Sequence, residues 1–346
     1  MIVAITTPLS AELVERVVRV GDGVDVHYEP DLLPPARYAS DHRGDPEFRR
    51  TTAGQRRWQE MLGAAHVFFG IPGDDPEQLA EAVDGGSPHL RFVQATAAGA
   101  GEQVAAAGLS AQQLERVIVA SASGVHAGPL GEFALFGLLA FARGLPRLRR
   151  DQAERRWDHY PTRELAGRTV AVLGTGAIGT RIAQLCRALS MIVVGVNSTG
   201  HTADEAFDQV VGTTALPELA PRADALVITL PATAETVGLV DATLLAALPS
   251  GAILVNVGRG RVIDEEALVA ALQNGRLAGA ALDVTAREPL PPTSPLWTMP
   301  TVLLSPHTAA LSPRENERIV DLFVDNLHRL LEGREVRNRI TARRRY

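Results

Sequence analysis

Thr169-Val170-Ala171-Val172-Leu173-Gly174-Thr175-Gly176-Ala177-Ile178-Gly179 is a β-rich run that breaks into three glycines, and a helical pattern from Arg181 to Leu189 follows. Strand, G-x-G-x-x-G turn and helix in that order are what a dinucleotide pyrophosphate requires. Gly174 permits the tight turn, Gly176 lets the backbone approach the phosphates, and Gly179 lets the helix pack closely on its strand. The helix N-terminus, at Ala177 and Ile178, offers unpaired N–H groups to the anion. Alone, such a turn is a weak signal; what lies around it strengthens the reading.

The 346 residues suffice for two domains, each with its own core. The net charge of -6 is modest. Arginines are scattered apart from short clusters such as Arg147-Leu148-Arg149-Arg150 and the Arg343-Arg344-Arg345 tail, which read as solvated surface, so no nucleic-acid partner is expected. Lysine is absent, which excludes Schiff-base chemistry, a P-loop lysine and a lysine general base. Cys186 is the only cysteine, so neither a disulfide framework nor a thiolate metal site is expected. Within the helix after the glycine turn it reads as a buried, inert thiol. Met1 to Ser10 lacks the basic start of a signal peptide, and the apolar run Phe133 to Phe141 is too short to span a bilayer. The expectation is a cytoplasmic protein with no membrane partner.

Strands and helices alternate from Thr169 onward. Val170–Leu173, Ile192–Val196, Ala225–Leu230, Ile253–Val257, Ala280–Asp283 and Val302–Leu304 read as strands, with helices such as Glu265–Asn274 between them. Continuous apolar strands separated by helices imply a parallel sheet covered on both faces, here a doubly wound Rossmann domain. Ile2–Thr6, Val24–Tyr28, Val67–Phe69, Phe92–Gln94 and Val117–Ala120 outline a smaller, flavodoxin-like α/β domain. Pro34 to Arg57 reads as a long polar loop, Gly131 to Arg150 as one long helix joining the domains, and Pro313 to Leu331 as a helix returning to the first. The expected division is a substrate domain of residues 1–120 and 311–346 and a dinucleotide-binding domain of residues 121–310.

In such sheets ligands bind outside the carboxyl ends of the strands. Polar residues just past apolar runs therefore carry weight: Asn256-Val257-Gly258-Arg259-Gly260, then Asp283 with Glu288 beyond it, then Ser305-Pro306-His307-Thr308. Arg259, Asp283, Glu288 and His307 are expected above one edge.

These pieces, with Leu230-Pro231, Thr233 and Thr236, Ala281-Leu282-Asp283-Val284 and Glu288-Pro289-Leu290, are in the right order over Thr169 to Ala310. The chain resembles the D-isomer-specific 2-hydroxyacid dehydrogenases, glyoxylate/hydroxypyruvate reductases among them. The resemblance implies NAD(P)H-dependent reduction of a small 2-oxoacid to a D-2-hydroxyacid, and the reverse, by a homodimer. It implies that Arg259 binds the carboxylate and polarises the carbonyl, that His307 is the acid/base, and that Glu288 pairs with it. Asp283 would face the nicotinamide, and Leu230, Pro231, Thr236, Val257, Gly258, His307 and Ala310 would line the cofactor site. Ala98 and Gly99, in what resembles the family's substrate loop, would donate N–H groups to the carboxylate. The chemistry suits these roles. Arginine's planar fork grips a carboxylate through two parallel bonds. An imidazolium protonates the alkoxide left by hydride transfer, and a neighbouring carboxylate favours that charged form.

One departure concerns the cofactor. The second strand ends in Asn197-Ser198-Thr199, with no acid to bond a ribose 2′-OH or repel a 2′-phosphate. That favours NADP(H) over NAD(H), with Arg222 or His201 as a substitute cation. Formate- and phosphite-type dehydrogenases and an NAD(H)-sensing, corepressor-like binding protein remain alternatives; formate enzymes of this type carry glutamine where Glu288 stands. Trp58 reads equally as a pocket wall or a core anchor.

Overall fold

The computed structural model describes residues 1–202 and 204–342; the Arg343-Arg344-Arg345 tail lies outside them. Strands β1 (Ile2–Ile5), β2 (Asp25–His27), β3 (Val67–Phe69), β4 (Phe92–Gln94) and β5 (Ile118–Ala120) come first. They are followed by β6 (Thr169–Leu173), β7 (Ile192–Asn197), β8 (Gln209–Gly212), β9 (Ala225–Ile228), β10 (Ala252–Asn256), β11 (Leu277–Leu282) and β12 (Val302–Leu304). The two-residue strand β13 (Arg339–Ile340) closes the series. The chain divides into two compact units, one of Met1–His126 with the segment from Leu311 onward, the other Ala127–Ala310.

The first unit's sheet has the order β13-β5-β4-β3-β1-β2, the second unit's β12-β11-β10-β9-β6-β7-β8. Every pairing is parallel except β13 with β5. Strand order reverses between β6 and β9 in the second sheet, which opens a crevice at the carboxyl ends there. The strands read as unbroken apolar runs because both faces are covered. Val170 and Val172 pack into one core, and Ala171 and Leu173 into the other. In the first unit Phe69 and Phe92 pack against Phe323 of the helix Glu315–Leu331.

Four expectations need correction. The long joining helix is two helices, Ala127–Ala142 and Leu145–Ala153, bent by 60°. Gly144 takes a left-handed φ of 71° between them, and Pro146 cannot continue the first. Its Phe141 is buried against Gly279, while Phe136 and Leu139 remain exposed. The polar segment Pro34 to Arg57 is not all loop. Thr51 accepts from Gly54 N–H at 3.1 Å and starts a helix, Thr52–Ala64, that buries Trp58 and Met61 one turn apart. Trp58 is thus a core anchor, with the Arg50 guanidinium stacked over its ring. Finally, β8 extends the second sheet to seven strands, and β13 adds an antiparallel edge to the first. No single helix among the described residues is long and apolar enough to cross a membrane.

Candidate active site

The glycine turn leaves β6 with Gly174 at φ +102°, and Thr229 at the end of β9 fastens it by donating to the carbonyls of Leu173 (2.9 Å) and Gly174 (3.2 Å). A Cβ at Gly179 would run into the Gly174 carbonyl, so only glycine lets this helix turn sit so close. The helix Ala177–Ala188 has no side-chain cap, and a Cβ at Gly176, its N-cap, would point into open space. An uncapped N-terminus beside an open face fits a pyrophosphate. Cys186, deeper in this helix, is buried, and burial pushes its thiol up to about 12, leaving it inert.

At the end of β7 the Asn197 amide closes its own loop. Nδ2 donates to Thr175 Oγ1 (2.8 Å) and the His201 carbonyl (3.0 Å), and Oδ1 accepts from the N–H groups of Thr199 (3.0 Å) and Gly200 (2.7 Å). Ser198 and Thr199 are exposed on that loop with His201. Arg222 cannot serve there. It precedes the parallel strand β9, and so lies at the amino edge of the sheet, opposite Asn197. The loop after β9 holds Leu230, Pro231 and Thr236; Thr236 Oγ1 donates to the Pro231 carbonyl (2.6 Å) and accepts from Thr233 N–H (2.8 Å).

Register aligns three strand ends in one row: Asn256 pairs with Leu282, and Leu282 with Leu304. Past the first lies Arg259. Asn256, fully buried, accepts from Gly258 N–H (3.0 Å) and donates to the Arg259 carbonyl (3.1 Å), folding the chain into a turn. Gly258 fits against the backbone of Leu230, where a Cβ would approach the carbonyl oxygen within 2.6 Å. Val257 is buried behind this turn, and Arg259 Nη1 donates to the Gly258 carbonyl (3.0 Å).

Past the second end, Asp283 is buried and its Oδ1 accepts from Ser305 Oγ (2.6 Å) and Ala309 N–H (2.9 Å), while its carbonyl accepts from His307 N–H (2.9 Å). This carboxylate therefore shapes the loop from Ser305 to Ala310 that carries His307. His307 itself adopts φ 58°, unusual for a residue with a Cβ, and its Nδ1 meets Glu288 Oε2 at 2.8 Å. Glu288 is aimed in turn by Thr285 N–H, which donates to Oε1 (3.1 Å). With Nδ1–H directed at a carboxylate, Nε2 is the nitrogen left for proton transfer.

Ala98 and Gly99 follow β4 in the first unit, where Gly99 precedes the short helix Ala100–Ala106. The polar residues that support the site, Thr229, Asn256 and Ser305, carry no charge and make no chemistry of their own. Their signal in sequence is only that each is a small polar residue ending an apolar run.

Residues 135–309 match the family model described as D-isomer specific 2-hydroxyacid dehydrogenase, NAD binding domain. A Corynebacterium melassecola protein described as an uncharacterized protein in the proB 3′ region is 31% identical over 82% of this chain and 90% of its own. Glyoxylate/hydroxypyruvate reductase A of Klebsiella pneumoniae is 35% identical over 56% of this chain and 64% of its own. Among solved structures, a D-isomer specific 2-hydroxyacid dehydrogenase from Xanthobacter autotrophicus Py2, in complex with NADPH and MES, superposes with a TM-score of 0.76. It is 29% identical and covers 99% of this chain and 100% of its own.

Proposed function

This chain belongs to the D-isomer specific 2-hydroxyacid dehydrogenases, a family of oxidoreductases, and we propose that it reduces a small 2-oxoacid to the D-2-hydroxyacid with NADPH. The observation that carries this reading is the 2.8 Å contact between His307 Nδ1 and Glu288 Oε2, set one strand away from the Arg259 turn. Reduced nicotinamide, when bound, supplies the hydride. Arg259 grips the substrate carboxylate through its planar fork and polarises the carbonyl oxygen. As the carbonyl carbon accepts hydride, negative charge develops on oxygen, and His307 Nε2 delivers the proton. Glu288 fixes the ring and stabilises the imidazolium. The N–H groups of Ala98 and Gly99 are further donors to the carboxylate.

Gly174, Gly176 and Gly179, with the N–H groups of Ala177 and Ile178, hold the pyrophosphate in this reading. Leu230, Pro231, Thr236, Val257, Gly258 and Ala310 flank the nicotinamide end, with Asp283 setting the loop beside it. The preference for NADPH rests on the loop Asn197-Ser198-Thr199, which has no carboxylate to repel a 2′-phosphate. A solved relative was captured with NADPH. Exposed Phe136, Leu139, Leu148 and Trp157, all from one stretch of chain, support a homodimer built on this surface; light scattering showing a monomer at micromolar concentration would refute it.

A panel of 2-oxoacids of graded size, each with NADPH and NADH, tests the activity. Turnover of glyoxylate or hydroxypyruvate is expected. Cofactor binding without turnover of any 2-oxoacid would make the protein a sensor instead.

A further inference from the structure

The segment from Arg37 to Asp45 is pinned to the carboxyl edge of the first unit's sheet. Arg43 donates to Asp74, which follows β3 (2.8 Å), and Ser40 Oγ donates to the Ser312 carbonyl (3.3 Å). His42 makes the central attachment. Thr7, just past β1, places Oγ1 3.2 Å from His42 Nδ1 and 3.3 Å from the His42 carbonyl oxygen. The other ring nitrogen, Nε2, lies 3.6 Å from Glu315 Oε1 and is buried with no hydrogen-bond partner among the described residues. Glu315 Oε1 also accepts from His126 Nε2 at 3.0 Å. Burial pushes the Glu315 carboxyl up, but the bond from His126 and the nearby His42 ring outweigh it and hold the group at about 2, so the carboxylate is charged near neutral pH.

These approaches can be counted in protons. Thr7 to the carbonyl, Nδ1 to Thr7 and Nε2 to Glu315 need three. The hydroxyl brings one and a neutral imidazole one; only an imidazolium brings two. A ring protonated at Nδ1 alone turns a bare lone pair toward a buried carboxylate. A ring protonated at Nε2 alone takes the Thr7 proton away from the carbonyl. The other charged groups on the packed elements are engaged: Arg37 with Asp41, Arg43 with Asp74, His126 with Glu315, Arg314 with Glu317, and Arg318 with the Ser312 hydroxyl.

We propose that His42 is a positioning residue whose doubly protonated ring clasps the 37–45 segment between Thr7 and Glu315, seating it at lower pH and releasing it as the ring loses a proton. Ligands of open parallel sheets bind outside the carboxyl edge, where Ala98 and Gly99 also lie, so a seated segment confines the ligand and its release raises KM. Only this kinetic consequence rests on the 2-oxoacid reading.

Hydrogen exchange of peptides spanning residues 36–50, in the full-length protein at about pH 6 and about pH 9 and corrected for intrinsic rates, tests the clasp. Protection should fall on the order of tenfold between the two in wild type, stay flat in His42→Gln and Glu315→Gln, and still fall in His126→Gln. His42→Gln should also raise KM for glyoxylate at the lower pH while keeping kcat. Should it fail to fold, Thr7→Val is the second variant: without the hydroxyl, Nδ1–H has no acceptor and the pH dependence must shrink. Wild-type protection that ignores pH, or a fall that survives in His42→Gln, overturns the proposal. A wild type that turns over no 2-oxoacid overturns the functional reading, and the exchange data then decide the clasp alone.

Discussion

Asn256→Ala strikes the support beneath Arg259, the residue proposed to grip the substrate, rather than the arginine itself. The native amide satisfies two backbone groups at once, the Gly258 N–H at 3.0 Å and the Arg259 carbonyl at 3.1 Å, from a fully buried position. Alanine leaves both unpaired. Each stranded group costs about 1–3 kcal/mol, with the less buried Arg259 carbonyl at the low end, so the loss sums to about 3 kcal/mol. For a unit of this size each kcal/mol lowers Tm by about 2–4 °C, which predicts a fall of about 6–12 °C. The turn also aims Arg259, and a side chain misplaced by about 1 Å costs on the order of a hundredfold in kcat/KM. Asn256→Asp separates the two bonds, because its carboxylate still accepts from Gly258 but has no N–H for Arg259. Thermal melts and steady-state kinetics with glyoxylate and NADPH provide the readouts. A Tm within about 2 °C of wild type, together with kcat/KM within about twofold, would show that the Asn256 bonds do not hold the turn.

Arg259→Ala should raise KM and lower kcat together, by on the order of a hundredfold or more in kcat, whereas His307→Ala should lower chiefly kcat and spare cofactor affinity. Glu288→Gln should move the alkaline limb of kcat/KM for reduction to lower pH, and an unmoved limb would uncouple Glu288 from His307. Asn197→Asp should shift kcat/KM from NADPH toward NADH by repelling the 2′-phosphate, at some cost in Tm because the bonds to Thr175 and His201 go with the amide; a wild type that already prefers NADH would sink this. Glu315, held at about 2 against an ordinary 4.5, contributes stability that is present above about pH 4.5 and is lost as pH falls toward 2. Acid-unfolding curves of Glu315→Gln should lack that loss, and identical acid limbs would refute it.

The parallel sheets were legible because strands buried on both faces leave long apolar runs, as at Val170–Leu173. The placement of Arg259, Glu288 and His307 beyond the ends of three neighbouring strands was legible because polar residues that follow such runs stand out. Edge strands leave no such trace: Gln209–Gly212 is half exposed, and Arg339–Ile340 is only two residues. The helix break was written in Gly144 and Pro146, but the apolar residues on either side hide it from a reading by periodicity. The contacts of His42 with Thr7 and Glu315 join three distant parts of the chain, and only the folded backbone brings them together.

The division of the chain sets an order of events during synthesis. The second unit is one uninterrupted stretch, so all of its strands exist once Ala310 has been made. The first unit begins earlier but waits longer. Until the last helix emerges, Phe69 and Phe92 lack Phe323, and β5 lacks β13. Domains normally mature from the N-terminus as the ribosome advances. Here the later-started unit is complete first, and the first unit must keep part of an apolar sheet face uncovered while the nucleotide-binding unit is assembled.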